Sequence, residues 1–390
     1  MTDPKTLAEA ATETLERLIA FDTTSRRTNL ELIEFAEARL TACGARMRRV
    51  MNADGAKANL IASIGPEVDG GVVLSGHTDV VPVDGQAWTS DPWVLTQRDG
   101  RLYGRGTADM KTFLALALAA APDFAAAPLK RPVQLALTYD EEIGCLGAPS
   151  LIRDLVRTGP KPSVVIVGEP TSMEIVSGHK GIATFKVTVT GKEAHSSLTH
   201  LGVSAIMEAA KLIARLSELA AELERSADPA SPFMPKGASL TIGQIQGGTA
   251  VNILARECVF SFDLRAPPGI DAKTVLQPVF DLAQRLDTEL KARAPEAGVK
   301  IETRSSTPPL SPDTAGEAEA LARRLAGDNG PARVVSYAAE AGQFQEAGYS
   351  TVICGPGSIE QAHQPDEYLE VSQLERGAAF MARLVEHLAQ

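Results

Sequence analysis

The chain has 390 residues, 44% of them apolar and 22% charged, which is ordinary globular composition with enough length for two or three domains. It excludes a disordered or fibrous protein. Formal charge is −11, from 38 basic and 49 acidic residues. That negative field argues against nucleic acid or an anionic membrane as a main partner.

The N-terminal stretch carries acids and lacks an apolar run, so no export signal is expected. The longest membrane-like stretch, Phe113 to Ala121, stops at Pro122, far short of ~20 residues. Cys43, Cys145, Cys258 and Cys354 are widely spaced and form no CxxC pair. That pattern suggests neither a disulfide framework nor a thiolate metal site, and it fits a reducing, cytoplasmic setting.

In chain order, Leu7, Leu15, Leu18 and Ile19 mark a first amphipathic helix. Leu32, Ile33, Ala36 and Leu40 mark a second, which stops near Gly44. Apolar runs at Asn59–Ile64, Val72–Ser75, Val133–Tyr139 and Val164–Val167 predict buried strands, with an Ala/Leu helix at Thr112–Ala121 between them. Alternating helices and buried strands predict an α/β domain with a mostly parallel sheet. From about residue 180 the style changes: Phe185–Thr190 alternates, and strands follow at Ser239–Gln244, Cys258–Leu264 and Val299–Thr303. Helices are expected at Gly202–Glu224 and Ala272–Ala292, giving the β-α-β-β-α-β order of a ferredoxin-like α+β domain. The proline-rich Ser305–Asp313 returns the chain, and Val352–Cys354 and a helix at Val371–Leu388 resume the α/β style. The expected organisation is therefore a domain of residues 1–178 and 307–390, interrupted by an insertion of residues 179–306.

Polar residues follow the apolar strands where ligands of open α/β sheets bind. His77 and Asp79 follow Val72–Ser75; two apart in an extended segment, they share a face, so the Asp79 carboxylate is expected to accept the second ring N–H of His77. Glu141 and Glu142 follow Val133–Tyr139, one suited to a metal and the other to a substrate. Glu169 ends Val164–Val167, Asp109 lies in the loop GRGTADMK, and His363 lies in GPGSIEQAHQPDEY. Each alone reads as a loop residue. Together they supply imidazole and oxygen donors without thiolate, a set suited to catalytic zinc, cobalt or manganese. Two dications would be balanced by Asp109, Glu142, Glu169 and one hydroxide.

The ordered motifs GHTDVVP, GRGTADMK, the Glu141–Glu142 pair, GEPT, GKEAHSS, GGTAVN and GPGSIEQAHQPDEY resemble a di-zinc amidohydrolase family. That family includes aminoacylase, glutamate carboxypeptidase, succinyl-diaminopimelate desuccinylase and acetylornithine deacetylase. VSGHKG at Val176–Gly181 and FDLR at Phe262–Arg265 look most like the deacetylase branch.

The resemblance implies a zinc-peptidase-like catalytic domain with two Zn2+ per subunit, Co2+ being able to substitute. Asp109 would bridge the ions, His77 and Glu169 would complete one position, and Glu142 and His363 the other. Asp79 would orient His77, Glu141 would act as general base, and the Asp109–Met110 peptide would be cis. The insertion resembles a dimerisation or lid domain of a homodimer, with His195 reaching the partner's cleft and Asn252 and Arg265 holding substrate oxygens. An N-acyl amino acid, N-acetyl-L-ornithine first, is the implied substrate. Alternatives are a succinyl-diaminopimelate desuccinylase, a broad N-acyl-amino-acid amidohydrolase or dipeptidase, and a silent amino-acid- or peptide-binding homologue. Glu340 is the expected partner of a substrate cation. Ala339 and Gln343 depart from the threonine and leucine common in the deacetylase branch.

Overall fold

The computed structural model describes residues 3–313 and 316–390, which divide into two compact units. The first unit comprises the chain up to Gly178 together with Leu310–Val334 and Ala339–Gln390. It contains helices α1 (Pro4–Ile19), α2 (Leu30–Ala42), α3 (Lys111–Ala126) and α4 (Ala148–Arg157). Its strands in this stretch are β1 (Arg46–Met51), β2 (Ala58–Ile64), β3 (Gly71–His77), β4 (Thr96–Arg98), β5 (Arg101–Tyr103), β6 (Val133–Thr138), β7 (Pro162–Val167) and β8 (Val176–His179).

The second unit spans His179–Pro309 and Val335–Ala338. It holds β9 (Gly181–Thr190), α5 (Ala205–Arg225), β10 (Ser239–Gly247), β11 (Glu257–Ala266), α6 (Ala272–Arg293) and β12 (Gly298–Thr307). The chain then gives the first unit α7 (Glu317–Ala326), β13 (Arg333–Val335), α8 (Ala341–Glu346), β14 (Ser350–Ile353), β15 (Tyr368–Glu370) and α9 (Val371–Ala389).

The main sheet runs β1-β2-β6-β3-β7-β14-β8-β13. Its centre, β6-β3-β7-β14, is parallel, and β1, β2 and β8 are antiparallel to their neighbours. The central strands are apolar throughout and buried, as strands covered on both faces must be. Helix α3 is apolar all round and packs against α1 and α9, so it is a core helix rather than a surface one. Parallel pairing puts the C-terminal ends of β3, β6 and β7 on one edge of the sheet, which is what brings their distant following residues together.

The second unit is a four-stranded antiparallel sheet, β10-β11-β9-β12, packed against α5 and α6. Ala183, Phe185, Val187 and Val189 of β9 face its core while the residues between them are only half-buried. Whereas the sequence reading ends the insertion at residue 306, β12 continues to Thr307 and pairs with Ile182, so this unit extends to Pro309. Among the described residues no helix is long and apolar enough to cross a membrane.

Candidate metal centre

His77 is the last residue of β3, and it pairs in register with Thr138, the last residue of β6. From Thr138 the chain runs through Asp140, at positive φ, into a tight turn in which Gly144 and Cys145 N–H donate to the Glu141 carbonyl. This turn carries Glu141 and Glu142. Glu169 follows β7 after Gly168, whose absent Cβ would lie 2.0 Å from the Phe113 ring of α3. Only glycine allows that approach. Asp109 precedes α3 across a cis Asp109–Met110 peptide, and His363 sits at φ 65° beyond β14.

The structure brings His77, Asp109, Glu142, Glu169 and His363 into one cluster. The Asp109 carboxylate lies between the two histidines, with Oδ1 2.9 Å from His77 Nε2 and Oδ2 3.4 Å from His363 Nε2. Glu169 Oε1 lies 3.9 Å from His77 Nε2, and Glu142 Oε2 lies 3.0 Å from His363 Nε2. Ligand atoms of His77, Asp109 and Glu142 fall within 4.8 Å of one another, as do those of His77, Glu141 and Glu169. Geometry alone therefore gathers both adjacent glutamates.

Burial raises the carboxyls of Glu169, Glu141 and Glu142; the charge of Asp109 adds to the rise at Glu169 and Glu142. Burial would also raise Asp109, but hydrogen bonds from His363 and His77 outweigh it and hold Asp109 well below the carboxylate range. Burial would lower His77, but its bond to Asp109 and the charge of Glu169 lift it well above normal. The buried carboxyls of Glu141, Glu142 and Glu169 thus favour their protonated forms, and the cluster is short of positive charge. Glu142 Oε1 and Glu169 Oε1 are buried without a hydrogen-bond partner, each an uncompensated cost of about 1–3 kcal/mol. Cations at the histidine Nε2 atoms would replace those protons and engage the orphaned oxygens, so the donor set fits divalent metal.

Asp79 departs from its expected geometry. His77 Nδ1 lies 2.9 Å from the Asp79 backbone carbonyl but 3.7 Å from its carboxylate. The extended segment ends at His77 and the chain turns, so the carbonyl rather than the side chain meets the ring. The carboxylate instead accepts from Ser25 Oγ at 2.6 Å and from the backbone N–H of Glu141 and Glu142 at 3.1 and 3.3 Å. Asp79 thereby steadies both the ring and the glutamate turn. Glu141 Oε1 accepts from Cys145 Sγ at 3.2 Å, and Gln343 Nε2 donates to the Cys145 carbonyl at 3.1 Å.

Glu340 also differs from expectation. It is about 1% exposed, and its two oxygens accept from Ser75 Oγ at 2.6 Å and Thr138 Oγ1 at 2.8 Å. Both oxygens are engaged and the side chain is buried, so Glu340 presents no exposed carboxylate to a substrate cation here. Two further buried groups, Arg105 and Glu367, escape the sequence reading. Each pairs with residues far along the chain, and only the HQPDEY string hinted at one of them.

Within the second unit, His195 is exposed, its Nδ1 2.8 Å from Ser197 Oγ, and it bridges to Ile253 beside Asn252. Ser196 N–H donates to the Asn252 carbonyl at 2.9 Å, so these two motifs meet. Arg265 is ion-paired to Asp263 at 3.0 Å. It lies eight residues from Glu257 along β11, about 27 Å at the ~3.4 Å rise of an antiparallel strand, and His195 lies beyond the Glu257 end.

A family model described as peptidase family M20/M25/M40 matches residues 73–387. Among curated proteins, the acetylornithine deacetylase of Myxococcus xanthus is 39% identical over 381 residues, covering 96% of each chain. That of Proteus mirabilis is 36% identical over 332 residues, covering 85% of this chain and 82% of its own. Among solved structures, aminopeptidase PepT from Bacillus cereus superposes with TM-score 0.73 at 20% identity, covering 98% of this chain and 99% of its own. Human carnosine dipeptidase 1 gives 0.73 at 19%, covering 99% and 98%. The YXEP protein of Bacillus subtilis, described as a dinuclear metal-binding peptidase, gives 0.66 at 17%, covering 98% of both chains.

Proposed function

The chain belongs to peptidase family M20/M25/M40 and is a metal-dependent amidohydrolase, and we propose that it removes the acyl group from an N-acyl amino acid, N-acetyl-L-ornithine first. The observation that carries the chemistry is the Asp109 carboxylate held between two histidines and flanked by two orphaned carboxylate oxygens. The substrate rests on deacetylase relatives matched over most of the chain.

In this reading two zinc ions, which cobalt could replace, would be held by His77 and Glu169 on one side and Glu142 and His363 on the other, with Asp109 serving both. Bound there, such ions supply Lewis acidity, polarising an acyl oxygen and lowering the pKa of a water. Glu141 takes the proton that the attacking water gives up and returns it to the departing amine nitrogen. The carbon–nitrogen amide bond breaks, a carbon–oxygen bond from water forms, and acetate and the free amino acid leave. Asp79 keeps His77 in the tautomer that presents Nε2 and keeps the Glu141 turn in place.

His195 donates to the acyl oxygen as it gains charge, while Asn252 and Arg265 hold substrate oxygens; Arg265 suits a carboxylate because its planar fork bonds both oxygens. An N-acyl amino acid spans about three residue lengths, ~10 Å, so Arg265 and His195 of one sheet cannot both reach it. That separation supports a homodimer in which one of these groups comes from the partner. The second unit offers the surface: β10 is an edge strand, and Ile245, Val251, Leu201 and Met207 near it are exposed. A cytoplasmic location completes the reading.

The deciding experiment is acid release from N-acetyl-L-ornithine by zinc- or cobalt-loaded protein, beside N-succinyl-LL-diaminopimelate and N-acetyl-L-methionine, with a chelator control. Fast, chelator-sensitive turnover of acetylornithine supports the reading. Faster turnover of another substrate moves the assignment to it, and no turnover of any overturns it.

A further inference from the structure

Glu367 and Arg105 form an ion pair about 1% exposed on both sides, with Arg105 Nη1 donating to Glu367 Oε2 at 2.7 Å. Burying both charges costs solvation, and an apolar pair of equal volume would often be as stable, so packing alone does not explain them. Their remaining bonds do. The Glu367 carboxylate accepts three backbone N–H groups of the loop that carries Asp109: Gly106 at 3.1 Å on Oε2, and Ala108 at 2.8 Å and Asp109 itself at 3.0 Å on Oε1. Arg105 turns the other way. It donates to the Gln364 carbonyl at 3.3 Å and to Gln86 Oε1 at 2.5 Å, and Gln86 Nε2 donates to the His363 carbonyl at 2.8 Å.

The buried pair therefore ties the backbone at Asp109 to the Gln364 carbonyl directly and to the His363 carbonyl through Gln86, and it touches neither metal-facing atom. The need is specific to that side of the cluster. His77 is buried at the end of a central strand and its ring is held by the Asp79 carbonyl. The His363 side chain is half exposed on a loop.

We propose that Glu367 and Arg105 are positioning residues for the cation position bounded by Asp109, Glu142 and His363, setting the approach of His363 Nε2 to Asp109 Oδ2. This rests on the two-ion reading. Glu367→Gln places an amide N–H2 against N–H donors, releasing the Asp109 loop while every metal-facing side chain stays in the sequence. Groups that orient a metal site from behind typically cost 10–100-fold in affinity when altered.

The test is calorimetric titration of the chelator-stripped full chain with Zn2+, with the visible spectrum of the Co2+ form recorded alongside. Wild type is expected to take two equivalents in separable steps. Glu367→Gln should leave one constant near wild type and weaken the other by about 10–100-fold. Gln86→Leu keeps the Arg105–Glu367 contact but removes the Arg105 and Trp88 bonds to Gln86 Oε1 together with the link to the His363 carbonyl; it should weaken the same constant by a smaller factor and serves if Glu367→Gln does not fold. Two equivalents with unchanged constants in a folded variant, or both constants weakened alike, overturn the positioning role alone. A single equivalent in wild type sinks the two-ion reading, and this proposal with it.

Discussion

If His195 serves the partner's cleft, two dead homodimers should together make a live enzyme. Glu141→Ala removes the proposed base and His195→Ala the proposed oxyanion donor, each inactivating its homodimer. In a twofold dimer equilibrated at equal amounts, about half the dimers are mixed, and in each of those one site of two keeps both Glu141 and the partner's His195, so about one quarter of wild-type activity returns. Were both groups supplied by one chain, no site in the mixed dimer would be complete and nothing would return. The partner role itself is motivated by the placement of Arg265 and His195 at opposite ends of one sheet, about 27 Å or more apart. The assay is acetate release after subunit exchange, with exchange verified by native mass spectrometry. Activity staying at the level of the separate homodimers, with mixed dimers present, would refute the partner role of His195.

Four further outcomes are expected. Glu141→Gln should retain wild-type metal content by elemental analysis while turnover falls by about 10²–10⁴-fold, the usual weight of general acid–base catalysis; a rate near wild type would remove Glu141 from the proton transfer. Chelator-stripped protein should unfold at lower temperature than the loaded form, and at 1,000 times Kd each site stabilises by about 4 kcal/mol, measurable by calorimetry. Gly168→Ala, whose Cβ would strike the Phe113 ring, should destabilise by about 1–3 kcal/mol in chemical denaturation. His179 is held down to about 4 by burial, so in the folded state it stays neutral while the unfolded state takes up a proton. Its contribution is therefore full above pH ~6.5 and falls by up to about 3 kcal/mol as pH drops towards 4. His179→Gln should flatten stability against pH in that window, and an unchanged slope would show that His179 does not titrate there.

Much of the α/β frame was legible because buried parallel strands write themselves as continuous apolar runs. Gly71–His77, Val133–Thr138 and Pro162–Val167 were visible for that reason, and so were the polar residues that follow them. Strand Arg46–Met51 was not, since an edge strand of sequence RMRRVM is half solvated and carries no apolar signal. The second unit's alternation in β9 was equally plain, because one sheet face is covered and the other open.

What the sequence by itself determined was a set of candidate donors: two histidines and several acids, without thiolate, each placed after an apolar strand or in a glycine-bearing loop. Tertiary structure decided how they are held. Glu340 meets Ser75 and Thr138 across 265 and 202 residues of chain, and Glu367 meets the Asp109 backbone across 258. Asp79 turned its carbonyl, not its carboxylate, to His77 because the strand ends there. Local periodicity encodes which face of an element is buried. It carries no record of which distant acid fills the space behind a site, because that pairing is set only when the sheet edge closes and each buried carboxylate must find its donors.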